Sequence, residues 1–252
     1  MYHVNWPIPD NIGIAMTDRH GGVSQSPFDS LNLGLHVGDD PQDVLANRAL
    51  IQQTLAINVP VTWLDQVHGT TIIDYSKVSS ANVSPANISP QSIPPKADGS
   101  YVDHAKVALA VMTADCLPVL LCNKVGTEIA AVHAGWRGLC DGVIESAIKR
   151  FNAEACDIIA YLGPAIGPNA FEVGAEVKQQ FVEQDIEAKQ CFKPHGVKYL
   201  ADLCGLATMR LSKQGIKHIY SANVCTFTNP DYFSYRRDQQ TGRMASFIWL
   251  KS

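Results

Sequence analysis

Charge is scarce in this sequence: Asp, Glu, Lys and Arg make up 17% of its 252 residues, and the formal net charge is -4. Lys and Arg form no dense cluster of the kind that a protein needs to follow a phosphate backbone, which argues against nucleic-acid binding. The longest apolar run is far shorter than the ~18 residues of a membrane-spanning helix, so no membrane association is expected. Hydrophobic residues reach 46%, enough to bury a substantial core.

Paired cysteine motifs and a secretory signal are missing as well. The seven cysteines are odd in number and scattered, and the first ten residues, MYHVNWPIPD, lack the charged and apolar segments of an export signal. Both features predict free thiols in a reducing cytoplasm. The sequence also contains neither the Walker nor the Rossmann glycine pattern.

Strand-like and helix-like segments alternate along the chain, which predicts an α/β or α+β fold. The length suits a single domain over 1–252. Residues 79–95, rich in Ser, Pro, Asn and Ala, are interpreted as an exposed loop inserted within that domain. The acidic pair and proline at 39–41 predict the start of a helix that ends near Ala56.

The central stretch 107–138 holds two apolar runs, each followed by residues suited to chemistry. VALAVM leads to Cys116, and EIAAV leads to His133. Continuous apolar runs of strand length predict strands buried on both faces, and functional groups concentrate on the loops that such strands hold. A third run, at 61–64, precedes His68. We therefore expect His68, Cys116 and His133 to meet in space.

Two elements are predicted downstream of this stretch. A helix is expected from about Gly138 to Phe151. Near the end of the sequence, 233–237 and 244–250 are expected to form a closing pair of strands joined near Thr241.

Two imidazoles and a thiolate are good zinc ligands, and three protein ligands with a fourth position open describe a catalytic metal site. Because their spacing along the chain is long, a buried inert thiol is the structural alternative for Cys116. A competing chemistry pairs Cys116 as nucleophile with His133 as base, and Asp115 or Glu172 would orient the imidazole, as in a metal-free cysteine hydrolase or amidase. For Asp115, a local backbone cap is the favoured interpretation. Three other histidines are interpreted as surface residues: His20, His36 and His104.

Several side chains are candidates for substrate binding. Guanidinium groups match the oxygens of an anion such as phosphate. The arginine candidates are Arg19, Arg48, Arg137, Arg236 and Arg237. Asn32 and Glu172 are candidates for hydrogen bonds to a ribose or base, and Trp136 and Phe171 are candidates for stacking on one. A packing or surface role is the alternative for most of these residues.

Ten motifs occur in one order over nearly the whole chain. They are TDRHGGVS (17–24), SLNLGLHVGDD (30–40), NR (47–48), DQVHGT (65–70), ADG (97–99), TADCLPVLL (113–121), AAVHAGWRG (130–138), GPAIGP (163–168), FEVG (171–174) and FSYRRDQQTGRMASFIWL (233–250). Together they resemble the YfiH-like, laccase-domain family, whose members are also called multicopper polyphenol oxidases and purine nucleoside phosphorylases.

The resemblance implies a single α/β/β/α sandwich with mixed sheets and a zinc ion held by His68, Cys116 and His133, with copper as the alternative metal. It implies phosphorolysis of adenosine, inosine and methylthioadenosine, together with adenosine deamination. For deamination we expect a carboxylate, Glu172, to move the proton. The partners would be a purine nucleoside and phosphate, and the protein is expected to be a monomer or weak homo-oligomer. Oxidation by several copper centres fits poorly, because dense His-x-His clusters are missing from the sequence.

Overall fold

A computed structural model describes residues 1, 5–77 and 93–251. The strands of these residues, β1 to β13 in chain order, are Ile12–Met16, Val61–Thr62, Ile72–Asp74, Gly99–Val102, Ala108–Thr113, Leu117–Asn123, Ile129–Ala134, Ile158–Leu162, Glu172–Val173, Phe192–His195, Lys198–Ala201, His218–Ser221 and Met244–Leu250. The α-helices, α1 to α6, are Pro41–Thr54, Trp136–Asp141, Val143–Ile148, Ala175–Gln184, Leu203–Lys213 and Tyr235–Asp238.

Two mixed sheets lie face to face. The larger has the strand order β12-β8-β6-β7-β4-β3, in which the outermost pair on each side is parallel and the inner pairs are antiparallel. The smaller has the order β1-β13-β5-β2, with only the β5–β2 pair parallel. Val111 of the smaller sheet and Leu120 of the larger sheet belong to one apolar cluster between them. A short antiparallel sheet, β10-β11-β9, completes the strands of the described residues.

Helices cover the outer face of each sheet. On the smaller sheet, Ile51 of α1 packs in a cluster with Ala110 and Phe247. On the larger sheet, Val119 packs in a cluster that includes Leu139 of α2 and side chains of α3, α4 and α5. The resulting α/β/β/α layering confirms the predicted fold class. No helix within the described residues is both long and apolar enough to cross a membrane.

The central strands are apolar along their whole length because both of their faces are covered. Every residue of β5, β6 and β7 is buried. Along β6, Val119 and Leu121 contact the helical side, whereas Leu120 and Cys122 contact the other sheet, as the two-residue period of a strand requires. The prediction of strands buried on both faces is therefore confirmed, and these strands form the rigid support of the site.

The predicted secondary structure is right in most places and wrong in two. Helix α1 begins at Pro41, with the Asp40 side chain capping it as the acidic pair indicated. The single helix expected from Gly138 to Phe151 is wrong, because Gly142 takes φ 97° and separates α2 from α3. The strand expected at 233–237 is also wrong: this segment leads into the short helix α6, and β13 pairs with β1 and β5 instead.

The exposed loop predicted at 79–95 lies mostly outside the described residues, which resume at Ile93. The Ile93 side chain is 94% exposed.

Candidate active site

His68 lies in the connection between β2 and β3, in a turn shaped by one buried carboxylate. The backbone N–H groups of Val67, His68 and Gly69 all donate to the Asp98 carboxylate, at 3.2, 2.9 and 2.6 Å. His68 takes φ 61°, a conformation that is uncommon for a residue with a side chain. The three hydrogen bonds hold this strained turn and fix the position from which the exposed imidazole projects.

Cys116 lies in the tight turn between β5 and β6, and Asp115 ties that turn to two distant segments. Asp115 takes φ 90°. Its buried carboxylate accepts hydrogen bonds from the Thr226 hydroxyl at 2.6 Å and from the Arg236 backbone N–H at 2.7 Å. The predicted local backbone cap is therefore wrong: the Asp115 carboxylate accepts from a backbone N–H of α6, far along the chain. The turn leaves the Cys116 thiol partly exposed.

His133 lies near the end of β7 and is buried at 3% exposure. Its Nδ1 lies 2.8 Å from Oδ1 of Asp98, which is fully buried. Because an ionised carboxylate only accepts hydrogen bonds, Nδ1 carries the proton, and Nε2 of His133 is left available to a ligand. Asp98 thus supports both histidines: it orients the His133 ring and builds the His68 turn.

The three predicted side chains meet. The donor atoms of His68, Cys116 and His133 lie within 4.8 Å of one another, and Cys116 Sγ lies 3.8 Å from His68 Nε2. Gly135 makes this approach possible, since a β-carbon there would lie 2.6 Å from His68 Cδ2 and 3.2 Å from the Cys116 sulfur. We call these three side chains the ligand wall.

Without a metal, electrostatics within the ligand wall favours a thiolate–imidazolium pair, and a bound metal ion would take the place of the proton on His133 Nε2. Burial opposes ionisation of Cys116, but the charge of His133 and hydrogen bonds from both imidazoles outweigh it and lower the pKa of the thiol to about 6. Burial also opposes protonation of His133, yet the Cys116 thiolate and the Asp98 carboxylate raise the pKa of its imidazole. The wall therefore presents a thiolate at neutral pH.

The ligand wall fits a zinc ion. Thiolate sulfur and imidazole nitrogen bind zinc at about 2.0–2.3 Å, so ligand atoms around one ion lie about 3–4 Å apart. The observed separations need only a small contraction to reach that geometry. The hydrogen bond from His133 to Asp98 is the carboxylate–histidine support that is common at such sites. Among the described residues this is the one cluster of its kind.

The ligand wall forms one side of a pocket of about 350 Å³. Its other lining residues are His36, Gln66, Met112, Thr113, Ala114, Tyr235 and Arg243. Gln66 is fixed by two hydrogen bonds of 2.7 Å to the backbone of Met112 at the end of β5. We call His36, Tyr235 and Arg243 the opposite wall. They come from the loop before α1, from α6 and from the residue before β13, and not from the strands that carry the ligand wall.

Sequence and structure comparisons agree on the relatives of this chain. Residues 13–251 match the family described as multi-copper polyphenol oxidoreductase laccase. The chain belongs to this YfiH-like laccase-domain family. Purine nucleoside phosphorylase YfiH of Shigella flexneri is 48% identical over 97% of this chain and 96% of its own, and the purine nucleoside phosphorylase of Haemophilus influenzae is 46% identical over 98% of both chains. The crystal structure of protein NMB0706 of Neisseria meningitidis is 45% identical, with a TM-score of 0.90 over 98% of both chains.

Two predicted site residues, Arg19 and Glu172, form ion pairs outside the pocket. Arg19 donates to the backbone oxygen of Asp29 at 2.8 Å and forms an ion pair with its carboxylate, outside the pocket lining. Glu172 starts β9, where Lys198 and His195 hold its carboxylate at 2.7 and 3.1 Å. The structure does not bring either side chain to the pocket.

Asn32 and Arg48 lie behind the pocket instead of lining it. Asn32 is fully buried, and its side-chain oxygen accepts from the backbone N–H of Gly34 and of Arg243, both at 2.9 Å. Arg48 donates twice to the Leu33 carbonyl and stacks 3.8 Å over the Trp63 ring. Both side chains therefore support the loop and strand that carry the opposite wall.

The sequence analysis did not predict Asp98, which supports the ligand wall from behind, or Arg243, which lines the pocket, and it placed His36 only at the surface. Asp98 belongs to the ADG motif at 97–99 and was not among the predicted site residues, yet its carboxylate organises the ligand wall. Arg243 was not among the arginine candidates, although it follows the TG pair that ends the predicted loop. His36 is exposed as predicted, but it lines the pocket.

Proposed function

We propose that this protein is a purine nucleoside phosphorylase that acts on adenosine, inosine and methylthioadenosine, with zinc held by His68, Cys116 and His133. One observation carries the proposal: three zinc-type donor atoms converge within 4.8 Å in an open pocket. The names of relatives that match nearly the whole chain at 46–48% identity supply the substrate class. The cytoplasm remains the expected location.

A bound zinc ion would supply Lewis-acid chemistry next to the pocket. The residues of the chain perform the other tasks. Asp98 keeps His133 in the tautomer whose Nε2 faces the ion. Tyr235 and Met112 offer aromatic and apolar surface to a planar base, and Gln66 holds the Met112 backbone in place. In phosphorolysis the bond from C1′ to the base nitrogen breaks, a bond from C1′ to a phosphate oxygen forms, and the departing base takes up a proton.

Adenosine deamination is the second reaction in this proposal, with water replacing the amino group and ammonia leaving. Glu172 is no longer our choice for moving the proton, because Lys198 and His195 hold its carboxylate and it does not line the pocket. His36 lines the pocket, and burial together with the Arg243 charge lowers the pKa of its imidazole, so a neutral ring that can accept a proton is the candidate for that step.

Incubation with adenosine, with and without phosphate, tests both reactions. Chromatography should show adenine and ribose 1-phosphate only when phosphate is present, and inosine in either condition. The absence of any purine product from the zinc-loaded protein would contradict the proposal.

A metal-free cysteine hydrolase that acts on amides is the second candidate function. Cys116 would be the nucleophile, His133 its base and Asp98 the orienting carboxylate. His133 lies next to both of the others, as such a triad requires. The Cys116 thiolate would attack the amide carbon, His133 would give its proton to the departing amine, and water would then hydrolyse the thioester. Asp98 takes the orienting role that the sequence had offered to Asp115 or Glu172.

Iodoacetamide labelling with and without a chelator separates the two candidates. Stoichiometric zinc that protects Cys116 supports the phosphorylase. A metal-free active protein, whose Cys116 is alkylated with an apparent pKa of about 6, supports the hydrolase. Because the thiolate is the reactive form, the labelling rate of the chelated protein should be near its maximum at pH 7. It should fall as the pH drops through the Cys116 pKa of about 6.

A further inference from the structure

Arg243 is the one arginine among the described residues that lines the pocket, and its guanidinium forms no ion pair within the described chain. Arg19, Arg210 and Arg237 each pair with a carboxylate. The hydrogen bonds of the Arg243 guanidinium within the described chain come from Nη1 alone, which donates to the carbonyls of Thr241 and Gly242, each at 3.0 Å. The Nε and Nη2 donors are left for a ligand.

Contacts with three residues of the loop before α1 fix the position of Arg243. The backbone N–H of Arg243 donates to the buried Asn32 side chain, and its carbonyl accepts from the Leu33 N–H at 3.0 Å. Gly34 packs against the side chain, since a β-carbon there would lie 2.8 Å from Arg243 Cγ. The residue is thus clamped between the loop before α1 and the start of β13, and its side chain lines the same pocket as the ligand wall.

The partly buried Arg243 guanidinium loses hydration that no ion pair replaces, although the charges of Cys116 and Asp115 act on it. Guanidinium groups remain protonated in proteins and match the oxygens of phosphate or carboxylate. His36 and Tyr235 line the same cavity and can donate further hydrogen bonds. The Cys116 thiolate would oppose an anion here, but a divalent ion held by His68, Cys116 and His133 would cancel that charge.

We propose that Arg243, with His36 and Tyr235 beside it, forms the oxyanion subsite of the pocket and binds the inorganic phosphate that attacks the nucleoside. This inference rests on the proposed function for its choice of phosphate over a substrate carboxylate. It moves the phosphate site from Arg19 and Arg48, the sequence candidates, to the opposite wall.

Calorimetric titration of the zinc-loaded protein with inorganic phosphate tests the subsite independently of turnover. Arg243→Gln should weaken phosphate binding by about 10-fold or more, the loss expected for charge-assisted hydrogen bonds. Arg243→Lys keeps the charge but loses the forked guanidinium, so its phosphate affinity should lie between those of Arg243→Gln and the wild type. Arg150→Gln, which removes an exposed arginine outside the pocket lining, should bind as the wild type does.

Steady-state kinetics gives a second measurement. In Arg243→Gln the KM for phosphate should rise by about 10-fold while the KM for adenosine changes by less than about 3-fold. His36→Gln should give a smaller rise for phosphate, and it keeps the test valid if the Arg243 variants misfold. An unchanged phosphate affinity in Arg243→Gln, equal rises in both KM values, or no phosphate binding by the wild type would overturn the proposal.

The outcomes also distinguish this subsite from the proposed function. If phosphate binds in an Arg243-dependent way but adenosine is never cleaved, the subsite stands and the phosphorylase proposal fails. Competition with acetate at millimolar concentration tests whether the subsite prefers a carboxylate to phosphate. Displacement of phosphate by acetate at equal concentration would overturn the assignment to phosphate.

Discussion

The two walls of the pocket are constructed differently. The ligand wall is attached to the rigid centre of the molecule: Cys116 joins β5 to β6, His133 lies in β7, and every residue of these strands is buried. Asp98 fixes the His68 turn and the His133 ring. The opposite wall comes from a loop, a four-residue helix and the residue before β13, and Tyr235 is 53% exposed. The first wall therefore suits a fixed ion geometry, and the second suits recognition of an incoming substrate.

Removing the sulfur of the ligand wall should have the largest effect. Cys116→Ser replaces a soft thiolate by a neutral hydroxyl, so we expect loss of bound zinc and a fall in kcat/KM of about 1000-fold or more. Metal analysis and adenosine phosphorolysis measure the two effects. Cys156→Ser, which changes an exposed free cysteine, is the matched control. Full turnover by a zinc-free Cys116→Ser variant would show that neither chemistry at this wall is correct.

Weakening the same wall from behind should have an intermediate effect. Asp98→Asn keeps the size of the side chain but removes the charge that stabilises the His133 N–H and the three N–H groups around His68. Loss of such a supporting carboxylate costs about 10–100-fold in metal affinity or activity.

Zinc affinity by competition with a chelator measures the effect of Asp98→Asn, and a thermal melt reports the accompanying loss of stability. Asp157→Asn, at an acidic residue whose side chain is 54% exposed, provides the control. A lower melting temperature with unchanged zinc affinity would limit Asp98 to a role in folding.

The contrast between the walls also explains what the sequence could predict. His68, Cys116 and His133 are chemically distinctive residues next to apolar runs, and buried strands are the most readable elements of a sequence. Helix α1 was equally readable, because Asp40 and Pro41 signal its start locally. The strand expected at 233–237 failed because contacts with Asp115, more than 100 residues away, stabilise α6 there.

Arg243 shows the limit of sequence reasoning on the site itself. No local pattern separates it from the other arginines, and its role depends on Asn32, Leu33 and Gly34, which are distant along the chain. The break at Gly142 had a visible signal, an isolated glycine in a helical pattern, but whether such a glycine ends the helix is decided by packing.

The smallest predicted effect tests whether the opposite wall depends on its packing. Gly34→Ala places a methyl group where only 2.8 Å separates its position from Arg243 Cγ, so the guanidinium must shift while the ligand wall is untouched. We expect the KM for phosphate to rise by about 2–5-fold, with zinc content and the KM for adenosine unchanged, because a displaced charge-assisted hydrogen bond is weakened and not removed. Phosphate titration of Arg243→Gln and of the double variant Gly34→Ala/Arg243→Gln shows whether Gly34 acts through Arg243. If it does, Gly34→Ala should weaken phosphate binding no further once the guanidinium is gone. Additive losses in the double variant would instead place the effect of Gly34 in the loop before α1, and the opposite wall would then be a surface that the loop shapes and not one that Arg243 controls.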